Sequence, residues 1–251
     1  MSQKNMTIFE HISELRKRLL IIVVFFILAV IISFFLSQPL IRFLQTSDLA
    51  KNLTMNAFRL TDPFKVYMDM TVYLAIVIIL PVILYQLWAF ISPGLYEKER
   101  KITLSYIPIA VLLFLAGVAF SYFVLFPMII QFMMKLSAQM DINTVIGINE
   151  YFSFLFQITM PFGLLFELPI VILFLTRLGI ITPMFLKKIR KYAYFFLVVL
   201  SAFITPPDVM SQIVVGVPLM ILYEVSIWVS KIGYRKLKAA ELKYELESSS
   251  E

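Results

Sequence analysis

Glu167 is the residue whose placement asks for chemistry. It lies within Phe152–Leu175, a stretch apolar enough to sit in a bilayer, where an ionised side chain near the centre of a spanning helix costs roughly 2.5–3.5 kcal/mol. Pro161, Gly163 and Pro169 surround it; prolines free backbone carbonyls and glycine lets another helix, water or a peptide come close. Two readings stand at this point. One is a carboxyl group hydrogen-bonded to a neighbouring helix, and the other, the default for an intramembrane acid, is a polar site facing a cavity. Covalent and metal chemistry have little to work with. The chain has no cysteine and one histidine, His11, which excludes thiol nucleophiles and Cys-ligated metals and leaves little room for a His-based triad or zinc site. No GxSxG, HExxH or paired catalytic aspartates occur, so an intramembrane hydrolase is not indicated.

The elements that must position this acid are membrane helices. With 61% hydrophobic residues, 15% charged residues and a mean hydropathy of +0.89, the 251-residue chain departs from the composition of soluble domains, which carry nearer a quarter charged residues. It reads as one polytopic membrane domain, 1–251, with a cytoplasmic amphipathic helix over 1–18, six spans over 19–229 and a cytoplasmic tail over 230–251.

In chain order, Met6–Arg18 carries Thr7 and Glu10 in capping-box spacing and Ile8, Ile12, Leu15 and Leu19 at helical intervals. Leu19–Leu36 is a retained first span, since no small-residue cleavage site follows it. Ser37–Asp69 is expected to be the longest connection, with Pro39 and Pro63 as breakers. Met70–Ile91 is the second span, with Gln86 inside and Trp88 as an interfacial anchor, and the Pro93-Gly94 turn opens the loop Ser92–Lys101. Ile102–Phe126 is the third, where Gly117 and Ser121 make a small-xxx-small face for close helix contact. Pro127–Tyr151 connects to Phe152–Leu175. The last two spans are short: Tyr192–Ile204 makes only about 20 Å of helix, Thr205-Pro206-Pro207-Asp208 forces a turn, and Ile213–Val229 returns, carrying Glu224. Such a hairpin thins the bilayer locally or stops short of the far surface.

Positive charge sets the orientation. Arg42, Lys51, Arg59, Lys65 and Lys135 fall in the connections on one side, and the remaining Lys and Arg among the 22 fall on the other, in 1–18, 92–101, 177–191 and the tail. Excess positive charge marks the cytoplasmic face, so both termini are expected inside, and the net charge of +6 needs no nucleic acid to explain it. A proton-coupled small-solute transporter using Glu167 is the alternative reading. The absence of any sign of an inverted repeat weighs against it.

Four motifs, in order along the chain, match one family. They are His11-Ile12-Ser13-Glu14-Leu15-Arg16-Lys17-Arg18-Leu19; Pro81 with Tyr85-Gln86-Leu87-Trp88-Ala89-Phe90-Ile91-Ser92-Pro93-Gly94-Leu95-Tyr96 and Glu99-Arg100; Phe162-Gly163 with Phe166-Glu167-Leu168-Pro169; and Thr205-Pro206-Pro207-Asp208 with Ser211-Gln212. On these the chain resembles TatC, the receptor subunit of the twin-arginine protein translocase, over nearly its whole length; Ile12, where the family usually has leucine, is a small departure. The resemblance implies an all-α, curved, glove-like bundle of six transmembrane helices in a bacterial-type plasma membrane, driven by the protonmotive force, with no cofactor or metal. It implies binding of twin-arginine signal peptides of folded cargo, assembly with TatA/TatB-type single-span proteins, self-association in the translocase, and contact with lipid. By the same resemblance the signal contacts are Glu14, Arg16, Phe90, Pro93, Gly94, Leu95, Glu99 and Arg100, with Glu14 and Glu99 as the recognising pair. Thr205, Asp208 and Gln212 are where a partner helix docks. Local ion pairs are the competing reading of the acids, because Glu14 stands four residues before Arg18 and Glu99 lies among basic neighbours.

Overall fold

The computed structural model describes residues 8–47, 50, 55–92, 100, 103–142, 144–205 and 208–248, with side chains from 12 to 239. Its helices are α1 Ile8–Gln45, α2 Asp62–Ile91, α3 Tyr106–Phe120, α4 Phe126–Gln139, α5 Ile148–Leu165, α6 Leu168–Arg177, α7 Pro183–Lys188, α8 Arg190–Ile204 and α9 Val209–Ser248. Two short strands, β1 Met55–Asn56 and β2 Ile146–Gly147, pair in parallel with Met55 opposite Ile146. Five helical stretches among the described residues are long and apolar enough to cross a membrane: Ile12–Gln45, Asp62–Ile91, Tyr106–Gln139, Ile148–Arg177 and Val209–Ala239. The fifth expected span, Tyr192–Ile204, falls in α8, whose 15 residues match the expectation of a short arm. The last span, expected to be short over Ile213–Val229, is corrected: it lies within the 40-residue α9, of which Val209–Ala239 is itself long and apolar enough to cross a membrane.

Three proline expectations are corrected. Pro39 does not end the first span, and α1 runs through it to Gln45; in apolar surroundings a broken backbone has no water to bond to, so the helix continues where a soluble one would stop. Asp62, not Met70, opens α2, with Pro63 in the first turn where its missing N–H costs nothing. Pro127 does not begin a connection either. A π-turn, Ser121–Leu125, with the Phe126 N–H bonded to Ser121 O, widens the helix just ahead of the proline ring and carries the chain straight into α4.

The chain divides into two compact units. Residues 1–111 and 130–160 form one, and 112–129 with 161–251 the other. In the first, α1 packs on α2 around Ala29, Ala75 and Ile79, where small side chains let the backbones approach, with Ile22, Phe26, Val82 and Ile83 around them. Ser37 and Thr71 share a hydroxyl–hydroxyl bond of 3.0 Å across this interface. The buried Asp62 carboxylate accepts the Phe58 and Arg59 N–H groups at 3.0 and 2.8 Å, which closes the turn entering α2. In the second unit, α6 lies on α9 through the Thr176–Ser230 hydroxyl pair at 2.8 Å and through Gly233, whose missing Cβ leaves room for Leu173. Of the expected Gly117–Ser121 face, Gly117 makes the close contact, a Cβ there standing 2.7 Å from Phe162 O, and Ser121 is buried at the π-turn; Gly163 on α5 adds a second close approach, 2.7 Å from the Phe114 ring.

Candidate functional site

The first unit holds an open cavity of about 570 Å³ against the N-terminal part of α1 and the end of α2. Glu14 and Arg18 stand one turn apart on α1, so their side chains share a face. Arg18 donates from Nε and Nη2 to the same carboxylate oxygen, Glu14 Oε1, at 3.1 Å for Nε. Its Nη1 reaches across to Gln86 Oε1 on α2 at 3.2 Å. Gln86 is buried, while Glu14 and Arg18 are about one-fifth exposed, at 19% and 21% of their side-chain area. The local ion pair foreseen as the competing reading of Glu14 therefore forms. The long-range arm to Gln86 was not foreseen, and its one signal was a glutamine inside an apolar span.

The remaining residues implied by resemblance divide by position. Arg16 is exposed on α1, Phe90 is half-buried near the end of α2, and Arg100 places its guanidinium 5.8 Å from the Trp88 ring centroid. Trp88 also donates Nε1–H to Thr103 Oγ1 at 3.0 Å, so one indole ties both sides of the segment from Ser92 to Thr103 together. Pro93, Gly94, Leu95 and Glu99 lie outside the described residues.

Glu167 belongs to the second unit, and the span expected around it, Phe152–Leu175, falls within the membrane-length stretch Ile148–Arg177. The helix breaks at Phe166 and Glu167, where Glu167 N–H bonds Leu164 O at 3.1 Å in a tighter turn. The chain restarts as α6 with Pro169 in its first turn. That proline marks a helix start and so does not interrupt a running helix. The carboxyl group is 7% exposed, and neither oxygen has a hydrogen-bond partner among the described residues.

At the α8–α9 hairpin the three residues implied for partner docking all bond within the chain. Thr205 is buried and its hydroxyl donates to Ser201 O at 2.9 Å; Asp208 Oδ1 accepts Ser211 N–H at 2.8 Å as a helix cap; Gln212 Nε2 donates to Val198 O at 3.3 Å. Glu224, noted only as an acid in the last span, ties the other end of the hairpin: Arg190 Nη2 and Tyr194 OH reach its two oxygens at 2.8 and 2.6 Å. No group of three or more metal-ligating side chains occurs among the described residues.

Fold and site together define a helical membrane protein of several spans that holds a guanidinium at the end of its first two helices and a buried carboxyl group at a helix break. The family described as "Sec-independent protein translocase protein (TatC)" matches residues 10–218. TatCy of Bacillus subtilis (strain 168) is 60% identical over 94% of this chain and 93% of its own length; TatC of Halalkalibacterium halodurans is 57% identical over 96% and 95%. A solved structure, described as the crystal structure of the twin arginine translocase receptor TatC, superposes with a TM-score of 0.79 at 32% identity, covering 89% of this chain and 99% of that one. The chain belongs to the TatC family, as its motifs indicated.

Proposed function

We propose that this chain is the receptor subunit of a twin-arginine, Sec-independent translocase and binds the paired-arginine signal of folded cargo at the cytoplasmic face. The observation that carries the reading is the Glu14–Arg18–Gln86 cluster: a carboxylate on α1 that engages a guanidinium through two of its N–H groups beside an open cavity, the contact that arginine recognition requires. Family membership supports it. Glu99 is the second carboxylate, and Arg16, Phe90, Pro93, Gly94, Leu95 and Arg100 are the further signal contacts that the family resemblance implies. The chain is one membrane domain of six spans, with α8 as the short fifth, and both termini lie inside a bacterial-type plasma membrane. TatA/TatB-type single-span proteins dock at Thr205, Asp208 and Gln212, copies of the chain associate in the assembled translocase, and the protonmotive force drives export without a covalent step or cofactor.

Photo-crosslinking of a twin-arginine signal peptide to the chain in native membranes tests the reading. Glu99→Ala is expected to weaken binding by on the order of 1.5–3 kcal/mol, the loss of one charge-assisted partner, at normal membrane levels. Undiminished crosslinking to Glu99→Ala refutes the pair.

A further inference from the structure

Arg18 is bonded in the way a bound ligand would be. Its guanidinium takes two N–H groups to Glu14 Oε1 and a third to Gln86 Oε1, from residues on two different helices. Gln86 is buried, and its amide oxygen meets the guanidinium at the edge of a cavity that Ser13, Lys17 and Tyr85 also line. A carboxylate and an amide oxygen set around a planar fork suit a guanidinium, whereas an ammonium presents a point charge without that fork.

We infer that Glu14 and Gln86 form a guanidinium subsite that Arg18 fills at rest and that an arginine of the signal peptide takes by exchange. This rests on the recognition reading above and names a residue, Gln86, that the motif reading did not assign to the site. Exchange is favoured over addition by charge. Among the described lining residues the cavity holds one carboxylate, Glu14, and two cations, Lys17 and Arg18. A second guanidinium entering beside Arg18 meets both cations, while one replacing it restores the same contacts and leaves Arg18 free to join the exposed Arg16 and Lys17 in solvent. The resting contact lowers the apparent affinity of every signal by the same open fraction, so discrimination between Arg-Arg and Lys-Lys signals comes from the fork of the incoming guanidinium itself.

The test uses the full chain in lipid nanodiscs and fluorescent signal peptides bearing Arg-Arg or Lys-Lys. Docked Arg18 lowers apparent affinity by the fraction of receptors it leaves open. Arg18→Gln should therefore bind the Arg-Arg peptide about three- to tenfold more tightly than wild type if a tenth to a third of sites are open, with the ratio between the two peptides unchanged. Adding Gln86→Leu to Arg18→Gln should reverse the gain, because Gln86 then serves the cargo alone. Arg18→Lys, which keeps the charge but not the fork, should fall between wild type and Arg18→Gln and guards against a folding defect in the latter. Arg-Arg binding by both Arg18 variants that is equal to or weaker than wild type overturns the exchange; if Glu99→Ala still weakens binding, the recognition reading stands without it. No binding of either peptide by any variant, wild type included, overturns both.

Discussion

Gly117→Ala measures how tightly the helices of the second unit are joined. A Cβ at this position would lie 2.7 Å from the Phe162 carbonyl oxygen and 2.8 Å from Cβ and Cγ of Phe166. That oxygen cannot turn aside, because it accepts the Phe166 N–H at 3.0 Å in the last turn before the helix breaks. The end of α5 must instead shift as a body. Overpacking of this kind costs about 1–3 kcal/mol, offset by about 1 kcal/mol for removing a glycine from a helix interior, so the net is about 0–2 kcal/mol of destabilisation. Gly216→Ala supplies the contrast within the same chain. Its Cβ would meet Ser201 Oγ at 3.5 Å and Ser201 Cβ at 3.9 Å, ordinary contact distances, so it should keep the gain of about 1 kcal/mol. The two variants should thus differ by about 1–3 kcal/mol in one assay, reversible unfolding of the purified chain in mixed micelles followed by far-ultraviolet circular dichroism. Equal stability of the two would refute the close approach of α3 and α5 at Gly117.

Two further expectations follow from the buried and half-buried acids. Glu224→Gln removes the charge facing Arg190 but keeps an acceptor for Tyr194; with both partners 41% exposed, unfolding in the same assay should shift by no more than about 1 kcal/mol, and a much larger loss would show the pair to be far better shielded than it stands here. For Glu167, the glutamine variant keeps size and hydrogen bonding while the alanine variant removes both, so a bonding role in the translocase predicts near-normal export of a twin-arginine reporter by Glu167→Gln and poor export by Glu167→Ala; equal, complete loss in both at normal membrane levels would point to an obligatory charge, and full activity in both to a purely structural acid.

What was legible in the sequence and what was not divide along the range of the interactions. Apolar run length and composition mark the membrane class and the first, second and fourth spans, because the cost of unpaired backbone in lipid acts on each segment by itself. The end of α8 at Ile204 and the close contact at Gly117 were equally local, one read from the prolines that follow and the other from side-chain size. Proline misled where its neighbours compensate: at Pro39 by continuing the helix, at Pro127 by the π-turn before it, and at Pro169 by lying just after a break that no residue type announces. The polar contacts that give the site its chemistry join residues far apart in sequence, Arg18 to Gln86 and Arg190 to Glu224. Three of those side chains had a local reading: Arg18 an ion pair with Glu14 one turn away, Arg190 a place in a basic loop, and Glu224 a lone acid in a span. The hairpin pair was nonetheless within reach, since Arg190 and Glu224 stand at similar distances from the turn and two antiparallel helices must bring such residues to the same depth. The Gln86 contact was not, because it depends on how far α1 extends past the end of α2, which is set by packing around Ala29 and Ala75. A buried amide among apolar neighbours is costly unless bonded, and in this chain that cost finds its partner in a guanidinium held by Glu14.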